Sequence, residues 1–185
     1  MTDVFFFSDN TVLVNFGYID RLDVLRSLLN DRGRWCATVA DECRQSASVP
    51  GLEALGDVAS LLGEAERPTP AELINTRLLR DSMAAPGEGA RAHLGEAETV
   101  AIMESRFRRS FFVTDDGGAR IVAEGQGLRV ISTWDLLRAA FRAGLLTEAE
   151  LWAPLERLRQ LGRGHPPKVW GYTSFKEWIT VSPSP

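Results

Sequence analysis

Val4-Phe5-Phe6-Phe7-Ser8-Asp9 is an apolar run that stops on a carboxylate. A continuous run without polar alternation reads as a short strand buried on both faces, the habit of parallel sheets. It is far shorter than the roughly 18 residues a membrane span needs, and no basic segment precedes it, so a cytoplasmic location and no membrane are the expectation. A second run, Phe111-Phe112-Val113-Thr114-Asp115-Asp116, ends on a doublet of acids in the same way. Carboxylates at the C-terminal ends of parallel strands face the crevice where open α/β sheets bind ligands, and oxygen donors suit hard divalent cations.

The segments between these runs supply the rest of an α/β pattern. A helix is expected from about Thr11, and residues 20–30 continue helically on Leu22, Val24, Leu25, Leu28 and Leu29. Residues 35–38 read as a second strand and 39–47 as a helix, which gives the strand–helix–strand rhythm of a parallel sheet. Residues 50–84 read as an inserted helical hairpin: Leu52, Leu55, Val58, Leu61 and Leu62 mark one helix, Pro68 and Pro70 break it, and 71–83 form another. After a loop at 85–93 come helices at 95–106, 118–124, 133–142 and 147–161, with strands at 111–114 and 128–131. Thr133 and Thr147 stand where N-caps belong. Residues 1–161 thus form one α/β domain, and 162–185, with Pro166, Pro167, Pro183 and Pro185, an irregular tail.

Composition bounds the function without choosing it. A chain of 185 residues can bury about two-thirds of its unfolded surface as one domain. Cys36 and Cys43 have no histidine or second cysteine pair nearby, so they read as packing residues rather than zinc ligands. Net charge is −4, which does not mark a nucleic-acid binder. Its distribution is uneven: residues 1–118 carry 12 arginines against 19 acids, and residues 119–185 carry 9 lysines and arginines against 6 acids.

Helical phase sorts the acids. At about 100° per residue, Glu96 shares a face with Val100, Met103 and Phe107, whereas Glu98 falls opposite and is expected in solvent. Glu42 flanks the apolar face of Val39 and Cys43, and Asp41 points away. Asp9, Glu42, Glu96 and Asp116 are therefore the candidate site. Two carboxylates about 4 Å apart repel by roughly 1 kcal/mol in water and about 4 kcal/mol at an effective dielectric near 20, so a cluster calls for a Mg²⁺ or Mn²⁺ ion.

In chain order, Asp9-Asn10-Thr11-Val12-Leu13-Val14-Asn15, Val39-Ala40-Asp41-Glu42, Gly95-Glu96-Ala97-Glu98-Thr99-Val100-Ala101 and Thr114-Asp115-Asp116 with Ala119-Arg120 resemble the PIN-domain nucleases. The closing Gly127-Leu128-Arg129-Val130-Ile131-Ser132-Thr133, with Leu136-Leu137 and Ala143-Gly144-Leu145, looks like a bacterial and archaeal branch related to the toxins of toxin–antitoxin pairs. The resemblance implies a three-layer α/β/α fold around a mostly parallel sheet. It also implies a Mg²⁺- or Mn²⁺-dependent ribonuclease acting on RNA through Asp9, Glu42, Glu96 and Asp116, with Asp9, Glu96 and Asp116 as metal ligands. Thr114 matches the hydroxyl that accompanies the last acid, and Asn10 and Thr11 the polar pair after the first. The doublet leaves Asp115 or Asp116 as the fourth ligand, with Asp116 preferred. The resemblance implies an antitoxin protein as a partner; the 50–84 hairpin departs from the family in being longer than the usual linker, and is a candidate either to cover the groove or to form a homodimer surface.

Other features carry less. Arg106, Arg108 and Arg109 follow the third acid and are candidates for touching the RNA backbone, or form a solvated helix end. His93 and His165 read as loop histidines without a role, and Trp134, Trp152, Trp170, Phe175 and Trp178 as packing rather than base-stacking residues. Two rival functions use the same acids differently. One is a PIN-fold binding module with weak or no cleavage. The other is a receiver-like phosphoacceptor on Asp9, which would need a lysine after a late strand; Lys168 and Lys176, the two lysines, both fall in the tail.

Overall fold

The structure, a computed structural model, describes residues 4–181. Strand β1 (Phe6–Ser8) leads through helices α1 (Asn10–Tyr18) and α2 (Leu22–Leu29) to β2 (Gly33–Arg34). Helix α3 (Ala37–Ser46) follows, then a 3₁₀ segment (Glu53–Asp57), a single turn α4 (Ala59–Leu62), α5 (Pro70–Met83) and α6 (Leu94–Arg106). Strand β3 (Phe111–Val113), α7 (Gly117–Gly125) and β4 (Arg129–Ile131) complete the sheet. Helices α8 (Thr133–Arg142), α9 (Glu148–Gln160) and α10 (Tyr172–Thr180) close the chain.

All three strand pairings are parallel and the order is β2-β1-β3-β4. From β1 the chain moves one way to β2, then crosses back to β3 and onward to β4. Right-handed crossovers in opposite directions must lie on opposite faces. The contacts follow that rule: α1, α2 and α8 touch one another, with α9 against α1 and α8, while α5, α6 and α7 form the other set. The result is the expected α/β/α sandwich, and its reversal of direction falls between β1 and β3. Phe7, Phe112 and Val113 are fully buried between the layers, which is why these strands need no polar alternation.

Three expectations need correcting. The 50–84 region is not a pair of packed helices. Its first half is a 3₁₀ segment and one turn, ended at Gly63, whose φ of 75° favours glycine. The chain then runs extended, and Glu66 bridges Cys36 in parallel through Ala37 N–H to Glu66 O and Glu66 N–H to Trp35 O. The leucines of 52–62 reach the core from the 3₁₀ segment and single turn, and the pairing of Glu66 holds the chain beyond Gly63 extended. Next, Cys36 lies outside the second strand and precedes α3 as its N-cap residue. Finally, residues 172–180 of the supposed irregular tail are helical. Phe175 is buried against Trp152 of α9 (ring centroids 4.9 Å), and Lys176 Nζ meets Glu148 at 2.6 Å. Pro183 and Pro185 lie outside the described residues.

Candidate active site

Asp9 leaves the end of β1 as the N-cap residue of α1, with its backbone N–H donating to Val113 O at 3.0 Å. Its side chain is only 2% exposed and accepts one side-chain hydrogen bond, from Thr114 Oγ1 at 3.2 Å. Thr114, one residue past β3, also accepts from Asp116 N–H at 3.1 Å, so one hydroxyl ties the ends of the two central strands together. The site therefore stands at the β1/β3 switch point, where the helices of successive crossovers part.

Electrostatics make this corner unusual. Burial, then the charges of Glu96 and Glu42, push the Asp9 carboxyl up to about 8, against the hydrogen bonds from Thr114 and Asn10. Glu42, on α3, is pushed up to about 7 by burial and by Glu96 and Glu98, with Arg91 opposing. Gly95 explains how Glu42 comes so close to α6. A Cβ there would lie 3.0 Å and 3.1 Å from the two Glu42 carboxylate oxygens and 3.1 Å from Val39, tighter than an ordinary contact, so glycine lets Glu42 sit against α6 without being pushed aside. Glu96 follows in the first turn of α6, partly exposed. Among the described residues, neither Asp9, Glu42, Glu96 nor Asp116 forms an ion pair. Three mutually repelling carboxylates, opposed only at Glu42 by the charge of Arg91 and joined in no ion pair, fit a divalent ion in charge and in donor chemistry. Their spacing is looser than a formed centre: among the described residues, no three acids, histidines or cysteines converge on a common point.

The doublet after β3 divides its labour. Both Asp115 oxygens are engaged: Oδ1 accepts from Thr133 N–H at 2.9 Å, and Oδ2 from Asn15 Nδ2 at 2.8 Å and from Thr133 Oγ1. Asp116 caps α7 with Oδ1, which accepts from Ala119 N–H at 2.6 Å. Its other oxygen accepts no hydrogen bond from the described residues. Asn10 donates to Ser46 Oγ at 3.1 Å, and the Thr11 carbonyl accepts from Arg163. Ser132 caps α8 in place of the expected Thr133, which is turned to Asp115 instead.

Glu98 is the clearest correction. Instead of meeting solvent it is 5% exposed and accepts from Thr38 N–H at 3.0 Å and Thr38 Oγ1 at 2.8 Å, closing the first turn of α3. Phase counting assumes one wet face, but α6 is wedged against α3, α5 and α7 and is buried on nearly every side from Ala97 to Met103. The arginines expected at RNA are also displaced. Helix α6 runs back against the strands, so Arg106, Arg108 and Arg109 precede β3 and lie at the opposite end of the sheet from Asp9. Arg106 is engaged there by Glu66 (2.9 Å) and Glu72 (3.0 Å), and Arg108 by Glu104 (3.3 Å). His93, the N-cap residue of α6, pairs with Glu88 at 3.2 Å. Both cysteines are buried, and burial raises their thiols, Cys43 to about 11, as packing residues require.

Sequence reasoning missed Asn15 and Arg163. Arg163 Nε donates to Asn15 Oδ1 at 2.8 Å, and Asn15 passes the contact on to Asp115. Asn15 stands out only as a lone amide in the apolar run Val12–Phe16; nothing local marks Arg163. No curated protein and no solved structure matches the chain. The family model described as DUF3368, a PIN domain, matches residues 5–171, which include all the acids above and all four strands. PIN domains are nuclease-type folds that act on nucleic acids and generally use divalent metals. A four-stranded parallel sheet whose first and third strands end on carboxylates, together with a family match spanning nearly the whole chain, places this protein in the PIN-domain family.

Proposed function

We propose that this PIN domain is a Mg²⁺- or Mn²⁺-dependent endoribonuclease. The observation that carries the reading is the buried Asp9 carboxyl, held near 8 beside Glu96 and Glu42 without a compensating cation. Such an arrangement is costly unless a doubly charged ion is its normal occupant. Asp9, Glu96 and Asp116 would hold the ion and Glu42 would assist, in part through water. When bound, the ion supplies Lewis acidity toward a phosphate oxygen and a more acidic water. The chain's own part is positional. Thr114 orients Asp9, Glu98 fixes the first turn of α3 that carries Glu42, and Asp115 locks the β3 loop to α1 and α8 so that Asp116 stays at the strand end. The related-toxin resemblance extends the proposal to a role as the toxin of a toxin–antitoxin pair.

A second reading, a PIN-fold binding module with little or no cleavage, is favoured by one observation: the described acids stop short of a common coordination point. Two measurements separate the readings. Calorimetric titration with Mn²⁺ should show binding in wild type that is lost in Asp9→Asn, and a structured RNA pool should be cut with Mn²⁺ and left intact with EDTA. Mn²⁺ binding without cleavage under any condition would favour the module. Absence of both would remove the nuclease.

A further inference from the structure

A cleft of about 630 Å³ opens at the β4 side of the same sheet edge, lined mostly by residues that none of the foregoing chemistry employs. Its walls include Asp115, Arg120, Arg138, Lys168, Trp134 and Trp178. They come from the loop after β3, from α7 and α8, from the segment before α10, and from α10 itself. Asp115 is the chain neighbour of Asp116, so one wall of the cleft stands beside the strand end that carries the proposed centre.

The two flanks of that centre differ in charge. Toward α3 stand Glu42 and Asp41 with Arg91 beside them, Asp41 being paired with Arg44; toward β4 stand three cations, Arg120, Arg138 and Lys168, against Asp115 and Asp135. The carboxylates in the cleft are already satisfied: Asp115 by Asn15 and Thr133, and Asp135 by the N-cap of α8 and a 3.5 Å contact with Arg138. Lys168 is exposed and pairs with no acid among the described residues. Its backbone is held at φ 64°, a left-handed conformation that a non-glycine residue adopts only under constraint. Arg120 makes a 3.4 Å surface contact with Glu124 and donates to the Val130 carbonyl at 3.5 Å, both through Nη1. Beside these cations, the Arg138 guanidinium lies over the Trp178 ring at 5.3 Å, a flat polarizable surface of the kind on which bases stack. Trp178 falls beyond the residues that the family model matches.

We propose that this cleft is the exit path for a single-stranded nucleic acid, with backbone phosphates on Lys168 and Arg120 and a base against the Trp178–Arg138 platform. The inference rests on the nuclease reading for its substrate class. The β4 flank offers a polyanion three cations against two carboxylates that are already hydrogen-bonded, whereas the α3 flank offers Arg91 against Glu42 and Asp41, so the β4 flank is the more favourable direction.

The test measures binding apart from cleavage. Fluorescence anisotropy of a labelled single-stranded RNA of about 12 nucleotides is followed in EDTA with wild type, Lys168→Glu, Arg120→Glu, Trp178→Leu and the control Arg32→Glu, which reverses one charge at the opposite end of the strands. Lys168→Glu and Arg120→Glu should each weaken binding about tenfold and lower the salt dependence by about one counterion. Trp178→Leu should weaken it about tenfold with the salt dependence unchanged. Arg32→Glu should bind within about twofold of wild type. Thermal melts confirm that each variant is folded, and Trp178→Phe keeps a stacking face should Trp178→Leu unfold. Equal effects of Arg32→Glu and Lys168→Glu, or no RNA binding by wild type, overturn the path. Mn²⁺-dependent cleavage that persists in such a result leaves the nuclease standing, whereas RNA binding without cleavage removes the nuclease and keeps the cleft.

Discussion

Replacing Asp9 by asparagine should stabilise the metal-free protein at neutral pH, although it removes a residue from the proposed centre. The Asp9 carboxyl sits at about 8 when folded and at an ordinary 3.8 when the chain is open. Folding therefore takes up a proton between those values, and stability falls as pH rises through the window from about 4 to about 8. Integrated to pH 7.5, the loss is about 5 kcal/mol at about 1.4 kcal/mol per pH unit. The substituted amide has no proton to take up and can still accept from Thr114 through its oxygen. The two proteins should melt together near pH 4. Toward pH 7.5 the variant should gain, with a Tm difference on the order of 10 °C for a chain of this size. Mn²⁺ should reverse the order, raising the wild-type Tm increasingly with pH and leaving the variant nearly unmoved. Thermal denaturation by circular dichroism at half-unit pH steps, with EDTA or Mn²⁺, reads all of this. A pH-independent gap, or a variant less stable than wild type at pH 7.5 in EDTA, would refute the claim that this carboxyl is buried without compensation.

Gly95→Ala places a methyl against the Glu42 carboxylate and Val39; it should weaken Mn²⁺ binding several-fold by calorimetry while costing no more than about 1–2 kcal/mol of stability. Ser8 Oγ is buried with no hydrogen-bond partner among the described residues, so Ser8→Ala should be neutral or stabilising by up to about 1 kcal/mol in urea denaturation. Arg106→Ala leaves the 3%-exposed Glu72 without its guanidinium and should cost about 1–3 kcal/mol, yet leave RNA affinity unchanged by anisotropy, because Arg106 stands at the far end of the sheet. Thr38→Val removes the hydroxyl bonded to Glu98; the same denaturation assay should show a loss of about 1–2 kcal/mol, with Mn²⁺ affinity falling as α3 loosens.

What can be read from the residues alone follows from the range of the forces involved. The phenylalanine runs 4–8 and 111–114 need only their own composition to declare themselves, and both are strands ending on the expected acids. Thr147 likewise signals its helix through a capping box with Glu150, a contact three residues long. Glu98 escapes phase counting because its surroundings are set by α3, some sixty residues away, through Thr38. Residues 50–62 read as more helix than they form because their leucines face a shared core in a 3₁₀ segment as readily as in a regular helix. Residues 172–180 do carry Tyr172, Phe175, Trp178 and Ile179 at helical spacing, but the prolines and glycines before them read as an irregular tail, and their order depends on the aromatic face of α9 that receives Phe175.

The Arg163 contact has a temporal consequence. It spans 148 residues to Asn15, and the loop it closes encloses every strand from β2 onward and all the proposed ligands except Asp9. Because synthesis is vectorial, β1 and α1 leave the ribosome long before the guanidinium that fastens them to the β3 loop exists. A translation product ending between residues 133 and 163 would lack that clasp, and α1 would be held to the β3 loop by the Asn15 amide on Asp115 and Thr133.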